Sequence, residues 1–200
     1  MKELSIINTG YVGCFLQDHP SYEWQIEKST PLKSAKISII PHYFWGDIVF
    51  NFNVNNHLFC VDATLDADMT DDIIYWLENI CQGYETSFLL FDAEGTDHFL
   101  RFYSKYGSSP EGRFTLLSTD EYYYDEKIGK FKNDLKVYKR YRKTKEIQMI
   151  CDLLISKKEF VEKFYKAILQ GIKNIPKDHE FDDGKRPIKK SKIIEKFLQQ

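Results

Sequence analysis

Residues 68–103 read DMTDDIIYWLENICQGYETSFLLFDAEGTDHFLRFY. Ile73, Trp76, Leu77 and Ile80 recur at i, i+3, i+4 and i+7, the spacing that lays one apolar stripe along a helix. Asp68 or Thr70 can cap its start, and Asp71 and Asp72 fall in the first turn, where the macrodipole favours acid. Gly83 supplies a left-handed stop. The spacing predicts a helix over residues 70–82. Residues 87–91 are a short apolar run, expected as a buried strand. Asp92-Ala93-Glu94-Gly95 turns the chain, and 98–106 is expected as the returning strand. Trp76 belongs to the apolar stripe and hence to the core, which leaves the acidic outer face of the helix for function.

Towards the N-terminus, residues 4–17 suggest two short strands around the turn-forming Asn8-Thr9-Gly10. Residues 18–33, with Pro20 and Pro31, read as a loop pinned by Trp24 and Ile26. Residues 34–45 begin as a strand whose regular pairing Pro41 should limit. IVFNFNV (48–54) alternates with a period of two, Ile48, Phe50, Phe52 and Val54 to one side. Asn55-Asn56 then turns it into a partner over 57–65, the hairpin this sequence specifies most firmly. Towards the C-terminus, strands are expected at 113–118, 135–142 and 147–155, separated by the polar stretch 119–134 with its three consecutive tyrosines. Ser156 caps a helix over 157–171 and Glu159 completes a capping box. Phe160, Val161, Phe164, Ile168 and Leu169 form its apolar stripe, with Gly171 near its end.

The sum is an α+β fold of about eight mainly antiparallel strands, two substantial helices and a short C-terminal helix. The strands arrive in hairpin runs rather than in βαβ alternation. Residues 1–176 form one domain. Residues 177–200 form a charged linker and a short basic helix, too short to be stable alone, which must dock or fray. A chain of 200 residues can bury roughly 70% of its unfolded surface, so its core needs no staples. No run of 18 apolar residues is present, which argues against a membrane span. The start has no apolar signal region, and without one Tyr11-Val12-Gly13-Cys14 does not make a lipoprotein cleavage box. Cys14, Cys60, Cys81 and Cys151 are widely spaced, as expected of free thiols in a reducing cytoplasm.

Charge is distributed unevenly. Residues 37–100 hold no Lys or Arg but eleven Asp and Glu. Residues 1–126 sum to −13 and residues 127–200 to +11. His57, Cys60, Asp62, Asp66 and Asp68 match no metal-ligand spacing, and DATLDADMTDD lacks the glycine and terminal glutamate of a calcium loop. No cofactor and no metal are expected. No nucleophile elbow occurs, and GSSPEG (107–112) carries Pro and Glu where a phosphate cradle needs free amides. Asp92 and Glu94 could do acid–base work, but turn chemistry alone accounts for them. The segment 127–145 interleaves nine Lys and Arg with aromatic residues. Lys127, Lys130, Lys132, Lys136, Lys139, Arg140, Arg142 and Lys143 therefore suit phosphates, with the basic tail adding to them. The acidic stretch suits capture of a basic protein instead.

Trp76-Leu77-Glu78, Gly83, and Phe88-Leu89-Leu90-Phe91-Asp92-Ala93-Glu94-Gly95, with the late helix EFVEKFYKAIL (159–169), resemble small uncharacterised bacterial proteins. Some of these are similar to immunity proteins of polymorphic-toxin and contact-dependent inhibition systems. The resemblance implies a cytoplasmic, non-enzymatic binder, its partner a basic toxin domain, with no catalytic residue to carry over. The long N-terminal segment and the tail beyond Pro176 depart from it. The expected contact surface comprises Asp62, Asp66, Asp68, Asp71, Asp72, Glu78, Asp92, Glu94 and Asp97, with Tyr75 and Tyr84 as aromatic anchors. The alternatives are a nucleic-acid binder using the basic segment, and an enzyme of unrecognised class.

Overall fold

The alternating segment IVFNFNV is the middle strand of a three-stranded antiparallel meander in the computed structural model. The structure describes residues 2–6, 26, 28–33, 36–44, 47–55, 57–64, 67–93, 96–105, 108–118, 124–125, 130–131, 148–177 and 190–200. In chain order the strands are β1 (Lys2–Ile6), β2 (Ile37–Phe44), β3 (Asp47–Val54) and β4 (His57–Thr64), followed by helix α1 (Ala67–Cys81). Then come β5 (Tyr84–Ala93), β6 (Thr96–Tyr103), β7 (Glu111–Ser118), β8 (Tyr124–Asp125), β9 (Lys130–Phe131) and β10 (Gln148–Ser156). Helices α2 (Lys157–Asn174) and α3 (Lys192–Leu198) complete the chain. One sheet has the order β2-β3-β4, a second β1-β5-β6-β7-β10, and β8 pairs with β9 as a two-residue ribbon. Only β1 on β5 is parallel among these pairings. The fold is α+β, as the hairpin-like strand order implies.

Most expected elements appear with longer bounds. The strand read at 87–91 runs the full length of β5, because its ends, which carry no apolar signal, pair with β6 from Thr86 to Ala93 and with β1 at Tyr84. Gly83 takes φ 81°, the left-handed geometry that ends α1. Ser156 caps α2, its Oγ accepting from the Glu159 amide at 3.4 Å. The Glu159 carboxylate pairs instead with Lys163 at 2.7 Å, one turn on. Helix α2 continues through Gly171 to Asn174. A Cβ on Gly171 would lie 2.9 Å from Ile48 Cγ2, so the glycine lets the helix approach β3 closely. The strands expected at 4–17 are described only as β1. The strand expected at 135–142 lies outside the described residues.

Pro41 does not interrupt its strand. The register from Ile37↔Val54 to Phe44↔Asp47 is unbroken. Its reason lies in the hydrogen-bond phase. Asn55 N–H donates to Lys36 O at 3.1 Å, which puts the even-numbered residues of β2 in hydrogen-bonded pairs with β3. The odd-numbered residues then turn their amide groups to the sheet edge. Pro41 is one of these, so its missing N–H costs no ladder bond. On the same edge Ile37 O accepts from Lys163 Nζ at 2.6 Å. A proline and a bound lysine together guard this edge against strand addition.

The two sheets and the helices share one core. Phe160 and Phe164, a turn apart on α2, meet different sheets: Phe160 packs on Phe102 and Phe114 at 5.0 and 4.7 Å, Phe164 on Phe50 and Phe52 at 5.5 and 5.6 Å. Trp76 of α1, fully buried, stands edge-on to both at 5.8 and 5.7 Å. The other face of the five-stranded sheet carries a smaller cluster of Ile26, Phe88, Leu90, Phe99 and Leu117. An ion pair anchors the chain beside it. Arg113 forks onto buried Asp152 through Nε and Nη2, both at 2.8 Å, and Nη2 also donates to Ile26 O at 2.6 Å and Ser29 Oγ at 2.9 Å. Ser29 Oγ donates to the same carboxylate. Leu32 exchanges backbone bonds with β10, both at 2.9 Å, covering part of that edge.

Two stability outcomes follow from this packing. Gly171→Val should lose about 1–3 kcal/mol in urea unfolding, because the added side chain meets Ile48 with no room to retreat. Asp152→Asn should lose about 3 kcal/mol by leaving the Arg113 guanidinium without its counter-charge; an unchanged urea midpoint would contradict that role for the pair.

Candidate functional site

Topology gathers the acids of the cation-free stretch. Helix α1 packs against β5, and only Gln82 and Gly83 join them. The two therefore run in opposite directions, and the start of α1 lies at the same end of the molecule as the finish of β5. Asp62 stands near the end of β4, and Asp68, Asp71 and Asp72 stand in the first part of α1. Asp92 and Asp97 face each other as register partners where β5 turns into β6. Six acidic backbone positions thus lie towards one end. Glu78 and Tyr84 belong to the other end, near the turn between α1 and β5, so the eleven-residue surface read from the sequence is split in two.

The helix itself shows how the local sequence presents this end. Its apolar stripe, Ile73, Trp76, Leu77 and Ile80, is 0–1% exposed. On the opposite side Tyr75 is 45% exposed, and Asp71 and Asp72 are half-buried and engaged within the fold. With α1 starting at Ala67, Asp68 and Thr70 lie inside the helix rather than capping it, and Asp71 and Asp72 fall in the second turn, beyond the first turn where the positive pole favours acid most. Lys157, the first residue of α2, is buried and close enough to Cys81 to act on its thiol. Burial holds the Lys157 ammonium below its usual range.

Glu78 is already used inside the molecule: its Oε1 accepts from Ser191 Oγ at 2.6 Å. Tyr84 is half-buried and is the register partner of Lys2. Asp66 and Glu94 lie outside the described residues, as do the side chains of Asp62, Asp68, Asp92 and Asp97. So do Lys127, Lys132, Lys136, Lys139, Arg140, Arg142 and Lys143; Lys130 is described only as part of the β9 backbone.

The described thiols and the buried histidine are poorly suited to catalysis at neutral pH. Burial pushes the Cys81 thiol up to about 12 and raises Cys151 further, helped by the adjacent Asp152. Neither supplies a thiolate. His98, 1% exposed, is held down to about 4 by burial, so it stays neutral. Among the described residues no three His, Cys, Asp or Glu side chains converge as metal ligands. The described helices include none long and apolar enough to cross a membrane. A shallow hollow of about 430 Å³ at the start of β2 is lined by Lys36, Ile37, Ser38, Asn53 and Asn55, which bring no catalytic pairing.

Sequence reasoning missed two polar contacts, Arg113–Asp152 and Ser191–Glu78. Their partners are 39 and 113 residues apart, and no local pattern links them.

No protein-family profile matches the chain, and no curated protein matches it. Among solved structures, a chain of the CdiA-CT/CdiI toxin and immunity complex from Enterobacter cloacae is similar over 68% of this chain and 99% of that one. The identity is 13% and the TM-score 0.33, a superposition too loose to establish a common fold.

The buried histidine gives a pH test. Above its ordinary value of 6.5 the imidazole is neutral in both folded and unfolded chains. As pH falls towards 4 the unfolded chain takes up a proton that the folded one refuses, so stability is lost in that window. The loss should reach about 3 kcal/mol by the bottom of the window. In urea titrations between pH 7 and 4, His98→Gln should remove that part of the slope; an unchanged slope would contradict it.

Proposed function

We propose that this chain is a cytoplasmic, non-enzymatic protein-binding module of the immunity type, which neutralises a basic toxin-like partner by occluding it. The reading is supported by element order and register, which put the chain positions of Asp62, Asp68, Asp71, Asp72, Asp92 and Asp97 towards one end of the fold, inside a 64-residue stretch without a cation. Like charges at facing positions of a strand pair are unfavourable, and Asp92 and Asp97 occupy such positions. A cationic partner would relieve that repulsion. Tyr75, exposed on the outer side of α1, suits an aromatic anchor beside the charges. The charges would set the rate and orientation of encounter, and the anchor the lifetime of the complex. Among the described residues, the protonated thiols of Cys81 and Cys151 and the neutral, buried His98 offer no activated nucleophile, which favours a binding role.

The test is capture from the native cell lysate by the full chain, compared with a charge-reversed chain carrying Asp71→Lys, Asp72→Lys, Asp92→Lys and Asp97→Lys. The expected result is one co-purifying basic protein whose recovery falls at least about tenfold on reversal and declines with salt. Capture unchanged by reversal would contradict the assignment of these acids. Recovery of nucleic acid in place of protein would favour a role for the basic segment 127–145 instead.

A further inference from the structure

Helix α3 is seven residues long, below the length at which a helix holds in water by itself. Its order comes from a small set of contacts at its start. Ser191 is 3% exposed and Ile194 fully buried against the core. Ser191 N–H donates to Tyr165 OH of α2 at 2.8 Å. Ser191 Oγ donates to Glu78 of α1 at 2.6 Å and accepts from the Ile194 amide at 3.1 Å, so one hydroxyl both caps α3 and ties it to α1. Phe197 and Leu198 add partial burial, while Ile193 remains 39% exposed. Ile194 and Ser191, with the partly buried Phe197 and Leu198, therefore hold this helix in the groove between α1 and α2. The aromatic packing that joins the sheets does not involve it.

We infer that α3 is a detachable latch: an amphipathic helix bound in cis to a groove of α1 and α2 that keeps its shape when the latch leaves. The groove recognises a capping serine through Glu78 and Tyr165 and takes an isoleucine three residues later. Release frees the Glu78 carboxylate, one turn from Tyr75, and a cationic arm that includes Lys190, Lys192 and Lys196. Local opening requires low local stability, and Ile194 is the one fully buried hydrophobic side chain of α3. The inference stands independently of the toxin-binding reading, because its ligand is the chain's own tail.

The experiment uses the full chain with Ile194→Asp, which expels the latch and leaves the groove unaltered, and a labelled peptide KKSKIIEKFLQQ, copied from residues 189–200. The peptide is expected to bind the Ile194→Asp chain at least tenfold more tightly than the wild type, whose own α3 competes. The same peptide with its isoleucine at the 194 position replaced by aspartate should bind neither. Equal binding to both chains, or binding to neither, overturns the inference. So does loss of the far-ultraviolet spectrum of the folded chain on Ile194→Asp, which would make α3 part of the core. Ser191→Ala gives a milder check by hydrogen exchange. Amides of α3 should lose at least tenfold protection while those of β5–β7 keep theirs, and a parallel loss in both would also overturn it.

Discussion

The contact on which the structure depends is made by two rings one turn apart on α2. Phe160 faces the five-stranded sheet and Phe164 the three-stranded sheet. Residues at i and i+4 share a helix face, yet here that one face reaches both sheets. Trp76 closes the group from α1. The sheets touch directly where Phe52 stacks on Phe114 at 6.2 Å, and α2 adds a second bridge between them through Phe160 and Phe164. Aromatic contacts of this kind add to ordinary area burial. Gly171 extends the same close fit along the helix, where its lack of a side chain admits Ile48.

That core fixes what the surface can do. With Ile73, Trp76, Leu77 and Ile80 committed inward, Tyr75 is left exposed on the outer side of α1, while Asp71 and Asp72 are half-buried and engaged within the fold. The short turn after α1 then decides which acids meet. By reversing the chain directly into β5, it brings the start of the helix to the Asp92–Asp97 end of the hairpin. Acidic positions far apart in sequence come towards the same end of the fold through topology, and the helix dipole favours the one in the first turn of α1, Asp68. At the opposite end Glu78 serves α3 instead.

The parts of the fold legible in the sequence are those with a local physical cause. IVFNFNV declared its strand by strict alternation, Gly83 its stop by conformation, and Ser156 its cap by position. Trp76 was assignable to the core because its periodicity placed it there. Pro41 misled because the edge position that makes it harmless depends on the phase of pairing with β3, which no local pattern reveals. The polar ends of β5 were missed for the same reason: cross-strand pairing with β6 and β1 sustains them. For the candidate site, the acidic bias was plain, but its division into two ends was not. Glu78 looked like its neighbours until Ser191, at the far end of the chain, supplied its partner.

The central claim is that α2 makes two sheets into one cooperative unit. Urea unfolding of a Phe164→Ala chain, followed in parallel by near-ultraviolet and far-ultraviolet circular dichroism, tests it most directly. The expected result is a single transition, coincident by both probes, at a midpoint lowered by the loss of about 3–5 kcal/mol. Two separated transitions, with the three-stranded sheet melting before the five-stranded one, would contradict it.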